Sequence, residues 1–192
     1  MGRVLAIAGS PRKGGNSDVL LDSFIEGAAA SGHDVEKIYV CDKSIAPCDE
    51  KNACYKAGVC CIKDDMQELY DKILNADLLV IATPTFFMGV PAQLKAFIDR
   101  CQSLWAKRFI LKQPLRQDDK TRYGFLLGVS GLPKKEAFIG TQQTIKAFFY
   151  ILGFKYKGDV LVEGVDNIGD INKTRPDALT KAYEMGKDLI QV

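Results

Sequence analysis

Two short stretches carry residue types suited to holding a small anion and a flat ring. The first is Gly9-Ser10-Pro11-Arg12-Lys13-Gly14-Gly15-Asn16-Ser17, set between an apolar run of strand character and a segment of helical period. There, main-chain N–H groups and the positive end of a helix dipole converge on one point, which suits a phosphate. The glycines, Gly15 among them, let the backbone approach closely. Ser10 and Ser17 offer hydroxyls, Asn16 an amide, and Arg12, beside Lys13, a planar fork. The order of residues matches neither the Walker A loop nor Gly-x-Gly-x-x-Gly, which counts against nucleoside triphosphate hydrolysis. The second stretch, Thr83 to Pro91, carries Pro84, Thr85, Phe86, Phe87, Met88 and Gly89 out of a strand into a loop. An isoalloxazine ring needs an apolar or aromatic wall and backbone donors near its reactive edge, and this loop supplies both. One of the two phenylalanines is expected to pack beneath the following helix, since neighbours in an extended segment point opposite ways. Ser130 and Gly131, after the fourth strand pattern, are expected at the rim of the same crevice.

A sheet with helices on both faces must position these loops, because short β-branched or leucine-rich runs alternate with longer segments of helical period. Strands are predicted at Arg3–Ala8, Val35–Val40, Asp77–Ala82, Tyr123–Val129 and about Lys155–Val162. Five helices are predicted: from a cap at Asn16 or Ser17 to about Ser31, from Asp64 and Asp65, from Pro91, from about Lys135 to Leu152, and from Pro176. Residues 106–121 read as a basic, irregular connection. Five strands wound both ways imply the order 2-1-3-4-5, with the ligand crevice between strands one and three. At 192 residues and 47% hydrophobic content, residues 1–192 suit one α/β domain.

The 26 basic and 24 acidic residues nearly cancel, which favours small-molecule partners over nucleic acid or an anionic membrane. No secretory pattern opens the chain and no apolar run reaches bilayer length, so a soluble, cytoplasmic protein is expected. Six cysteines, Cys41, Cys48, Cys54, Cys60, Cys61 and Cys101, then read as thiols, metal ligands or redox groups before disulfides. His33, the only histidine, is expected at a solvated turn away from the crevice, and that excludes histidine-dependent triads. The basic run Lys107, Arg108, Lys112, Arg116, Lys120 and Arg122 is expected to be solvated, with an NADPH phosphate or a subunit contact as the other readings.

Gly9-Ser-Pro-Arg12 with Gly15-Asn-Ser17, Pro84-Thr-Phe-Phe87 and Leu94-Lys-x-Phe-Ile-Asp-Arg100 resemble the NAD(P)H-dependent FMN reductase family over nearly the whole chain. Ile45-Ala-Pro-Cys48 and the approach to Lys63-Asp-Asp-Met66 are most similar to its iron–sulfur flavoprotein branch. The resemblance implies a flavodoxin-like doubly wound fold and FMN held by loops 9–17 and 84–89. It also implies reduction by NAD(P)H and homodimers or homotetramers with flavins near subunit interfaces. The branch spaces its first cluster ligands as Cys-x-x-Cys-x-x-Cys with a fourth cysteine a few residues on. Here the run is Cys48-x-x-Lys51-x-x-Cys54, then Cys60 and Cys61. A [4Fe–4S] cube takes four thiolates and an ammonium ligates no iron, so the cluster is not expected. Any metal that did bind, zinc included, would use Cys48, Cys54, Cys60 and Cys61.

The leading reading is an FMN-dependent oxidoreductase that reduces a flavin, a quinone or a similar acceptor, with a backbone N–H of the 84–89 loop bonded to flavin N5 and no catalytic side chain. The alternatives are a single-electron carrier with FMN and a cluster, and a non-enzymatic binding module of the same fold.

Overall fold

The computed structural model describes residues 2–190. Its five strands are β1 (Arg3–Ala8), β2 (Asp34–Tyr39), β3 (Leu78–Pro84), β4 (Arg122–Ser130) and β5 (Phe154–Glu163). All pair in parallel, in the order β2-β1-β3-β4-β5, which is the predicted order. The central strand β3, Leu-Leu-Val-Ile-Ala-Thr-Pro, is buried along its length except at Pro84. A strand covered on both faces has no polar side to alternate with. Strand ends fall within two residues of the predicted ones.

Alternate residues feed two cores. Val4, Ala6, Ala8, Val80 and Ala82 pack against Leu20, Leu21 and Phe24 of α1 (Asn16–Ala30) and Ala178 and Ala182 of α8 (Pro176–Lys187). Leu5, Ile7, Leu79 and Ile81 pack against α3 (Met66–Asn75), α4 (Ala92–Arg100) and α6 (Ile139–Leu152) through Ile73, Leu94, Phe97, Ile145 and Phe149. Three further short helices were not predicted: α2 (Cys54–Ala57), α5 (Gln102–Trp105) and α7 (Asp170–Thr174).

The run 106–121 departs from its predicted irregularity at its start, where Ala106–Ile110 continues α5 as a wider helical turn. Three arginines of the basic run are not solvated. Arg108 donates to the carbonyls of Tyr150 and Ile151, Arg116 to that of Ala76 and to the Asp77 carboxylate, and the buried Arg122 to those of Ile73 and Leu152. They close the carboxyl ends of α3 and α6, where orphan carbonyls and the negative end of the dipole favour cations. His33 is half-buried, within 3.3 Å of the Gly2 amide, at the end of the sheet away from the predicted crevice.

Candidate functional site at the carboxyl ends of the strands

The loops after β1, β3, β4 and β5 enclose a crevice of about 90 Å³. Of the residues chosen from the sequence it brings together Ser10, Arg12, Gly15, Asn16, Ser17, Pro84, Thr85, Phe86, Ser130 and Gly131. Lys13, Phe87, Met88 and Gly89 do not line it. Lys13 turns to the β2 side, where its ammonium lies 2.6 Å from Asp42 and 4.9 Å from the centre of the Tyr39 ring. The bond to Asp42 holds its pKa above the ordinary lysine value.

The loop after β1 is built as an anion cradle. Ser10 Oγ accepts the Arg12 N–H at 3.0 Å, a local turn that folds the chain back toward α1. Gly14 adopts a left-handed conformation, with φ of 69°. Helix α1 begins at Asn16 with Gly15 as its cap and no side-chain capping bond, so the predicted capping by Asn16 or Ser17 does not occur. The Asn16 side chain is engaged elsewhere: its amide donates to the Asn167 carbonyl at 2.9 Å and its oxygen accepts the Ile171 N–H at 3.3 Å. Among the described residues, the main-chain N–H groups of Lys13, Asn16 and Ser17 have no acceptor. A phosphate fits that donor set, because the open N–H groups sit at a helix amino terminus.

The loop after β3 is a tight turn. Phe86 and Gly89 exchange main-chain hydrogen bonds of 2.9 Å each, while Phe87 and Met88 take φ of 50° and 62°. Left-handed backbone at two bulky residues is costly, and such strain gathers at functional sites. Neither phenylalanine packs beneath the following helix: Phe86 is 46% exposed and Phe87 fully exposed. The mutual bonds force a hairpin-like reversal in place of the extended segment on which that expectation rested. The Thr85 N–H is bonded to the Val129 carbonyl, so Phe87 and Met88 alone in the 85–89 stretch keep free N–H groups among the described residues. Helix α6 supports the turn from behind. A Cβ on Gly140 would fall 2.4 Å from the Met88 carbonyl oxygen.

A further wall escaped the sequence reading. Val165, Asp166 and Ile168, in the loop after β5, line the crevice with Val129. The Val165 N–H bonds the Ser130 carbonyl, the Asp170 carboxylate gathers the N–H groups of Asp166 and Asn167, and Asn16 staples this loop to the cradle. The alternation of glycine, aspartate and asparagine from Gly164 to Asp170 was the available signal, since such residues order a turn through their own side chains.

The cysteine segment is anchored by Arg100. This buried guanidinium donates to Asp64 through both nitrogens and to the carbonyls of Ala46 and Ile62. Burial alone would raise the Asp64 carboxyl, yet Arg100 and the N–H groups of Ala46 and Met66 hold it below its usual value. Lys51, at the second ligand position of the branch, is exposed and paired with Asp49 at 2.7 Å. Among the described residues no three of the His, Cys, Asp and Glu side chains are arranged to share a metal ion. A donor set with an ion-paired ammonium in a ligand position does not fit a four-thiolate cluster.

A family model described as NADPH-dependent FMN reductase matches residues 2–161. The chain belongs to that family. An iron-sulfur flavoprotein of Methanosarcina thermophila is 33% identical over 157 residues, which cover 82% of this chain and 78% of its own. YwqN of Bacillus subtilis, whose name describes an NAD(P)H-dependent FMN-containing oxidoreductase, is 31% identical over 170 residues and 88% of each chain. Among solved structures, an NAD(P)H:quinone oxidoreductase from Methanothermobacter marburgensis superposes with a TM-score of 0.74 at 20% identity, covering 98% of this chain and 96% of that one. That likeness establishes the flavodoxin-like fold of this FMN reductase family member. No helix of the described residues is long and apolar enough to cross a membrane.

Proposed function

We propose that the chain binds FMN across the carboxyl ends of β1, β3 and β4 and reduces a small acceptor, such as a free flavin or a quinone, at the expense of NAD(P)H. The observation that carries this reading is the convergence of unpartnered main-chain N–H groups at the α1 terminus with a strained aromatic turn on the opposite lip of the crevice. Bound FMN supplies the hydride-accepting and electron-donating chemistry. The chain positions it. The main-chain N–H groups of Lys13, Asn16 and Ser17, with the Ser10 hydroxyl and the Arg12 guanidinium beside Gly15, would hold the phosphate, and Arg12 has no ion pair among the described residues. Thr85, Pro84 and Phe86 on one side and Ser130 and Gly131 on the other flank the ribityl chain and ring. Phe87, Met88 and Gly89, next along the turn from the crevice-lining Phe86, would meet the ring at the outer rim. The free N–H of Phe87 or Met88 would be the donor to flavin N5.

Phe86, Phe87, Met88, Leu132, Ile139 and Ile168 leave large apolar surface exposed on or near the loops of this end. We infer that a second copy covers it, in a homodimer or homotetramer, because exposed apolar patches mark interaction surfaces. All six cysteines are unpaired, in keeping with a reducing cytoplasm.

The test is an absorption spectrum of anaerobically purified protein, with iron quantified on the same sample and NADPH oxidation followed with a quinone. A flavin spectrum with turnover and no iron is the expected result. Absence of flavin binding refutes the reading, while flavin with about four irons per chain would favour the electron carrier instead.

A further inference from the structure

Asp18 occupies an unexpected place for a carboxylate. It lies in the first turn of α1, 3% exposed, at the very terminus whose open N–H groups form the anion cradle. Acidic residues suit helix amino termini in general. Here, however, a buried negative charge stands beside a site for a second anion, and unless neutralised it would oppose that anion. Its contacts resolve the conflict. One carboxylate oxygen accepts the Gly14 N–H at 2.7 Å and the Tyr39 hydroxyl at 3.2 Å. The other lies 2.7 Å from the Lys37 ammonium, which also reaches Asp22. Lys37 and Lys13 both lie over the Tyr39 ring, at 4.8 and 4.9 Å from its centre. Thus β2 carries a cation that neutralises Asp18 and an aromatic platform that holds the cradle from its far side.

The left-handed residue of the cradle is the one that Asp18 binds. Gly14, with φ of 69°, stands in a turn that the Gly15 N–H closes on the Arg12 carbonyl at 3.3 Å, and open space surrounds the place a Cβ would take. The Asp18 carboxylate is the side chain that accepts its N–H, at 2.7 Å, and so ties this turn to the first turn of α1. We propose that Asp18, neutralised by Lys37, is a positioning residue that pre-forms the phosphate cradle. It acts on the phosphate end of the cofactor alone, through Gly14, and not on the ring. This inference rests on the FMN reading above and assigns its phosphate selectivity to a residue that touches no ligand.

The experiment compares FMN with riboflavin, which lacks the phosphate, by fluorescence titration of apoprotein. Wild type must bind FMN more tightly than riboflavin; if it binds neither, the FMN reading fails before this inference is reached. Asp18→Ala is expected to lose about tenfold or more in FMN affinity, the usual worth of a hydrogen bond to a charged group. Its riboflavin affinity should stay within about twofold of wild type, which also reports a folded site. Asp18→Asn, which keeps an acceptor for the Gly14 N–H, should recover most of the loss. Lys37→Met, which takes the cation from β2, should weaken FMN and not riboflavin by exposing the phosphate to an unneutralised carboxylate. Equal losses for both ligands in Asp18→Ala and Lys37→Met, or no loss of FMN affinity in either, overturn the proposal. So does an Asp18→Asn variant as weak toward FMN as Asp18→Ala.

Discussion

Replacing Arg100 by methionine removes the keystone of the cysteine segment and leaves the flavin crevice untouched. The Arg100 side chain is wholly buried and that of Asp64 only 11% exposed. The guanidinium gives two hydrogen bonds to Asp64, at 2.5 and 3.1 Å, and one each to the carbonyls of Ala46 and Ile62, at 2.9 and 3.2 Å. Methionine keeps the apolar stem but strands a buried carboxylate and two carbonyls. Breaking a buried pair from one side costs about 3–5 kcal/mol. For a chain of this length that corresponds to a fall in Tm of roughly 6–20 °C. Because Asp64 is held below its usual range, its ionised pairing contributes fully above the unfolded carboxyl pKa of about 4 and is lost as pH falls through the lower folded value. The stability gap between wild type and variant should therefore be widest at neutral pH and narrow as pH falls, first as the carboxyl stranded and raised by burial in the variant takes up its proton and then as wild type loses its pairing below about 4. Urea denaturation from pH 7 to pH 3 measures this. A loss under about 1 kcal/mol at pH 7, or a gap that stays unchanged at pH 3, would refute the reasoning. FMN affinity should hold within about twofold, since neither partner lines the crevice.

Gly140→Ala sets a Cβ against the Met88 carbonyl and should displace the 86–89 turn, costing about 1–3 kcal/mol and raising the KM for NAD(P)H; an unchanged melt and KM would exclude the contact. Phe87→Gly relieves left-handed strain at a fully exposed residue, so the apoprotein should gain about 1 kcal/mol in thermal denaturation while kcat/KM falls. A destabilised variant would show that the Phe87 ring is packed in solution. Lys51→Cys restores the Cys-x-x-Cys-x-x-Cys spacing, and anaerobic reconstitution should then load about four irons per chain where wild type loads none. Equal iron in both proteins would show that Lys51 is not what disfavours the cluster.

What the sequence made legible and what it concealed divide along the range of the interactions. The continuous apolar run of β3 announces a strand buried on both faces, and the order of apolar runs suffices for the 2-1-3-4-5 sheet. The helices α2 and α7, of four and five residues, are too short to display a period. The exposed turn at Phe87 and Met88 defeats local rules, which place bulky residues neither at positive φ nor in full solvent. The arginines of the 106–122 run look like surface charge until the ends of α3 and α6, some thirty to fifty residues away in sequence, arrive beside them. Asn16 reads as a phosphate donor by position, yet its amide reaches a partner 151 residues on and ties the β5 loop to the cradle.

Asp18 gives this division its sharpest form. By local rules it is an ordinary acid in the first turn of a helix, favourable to the dipole. By the same rules the α1 terminus is an anion site, and the two statements conflict over one patch of positive potential. Nothing between residues 9 and 18 decides between them. Lys37 and Tyr39 of β2 do, because the parallel pairing of Ile7 with Ile38 and Ala8 with Tyr39 brings them to the end of β1 where the cradle begins. The cradle is therefore set up by strand register as much as by its own motif. A slip of β2 by one residue would turn Lys37 and Tyr39 to the opposite face of the sheet, leaving Asp18 buried without its cation while every residue of the loop stayed the same.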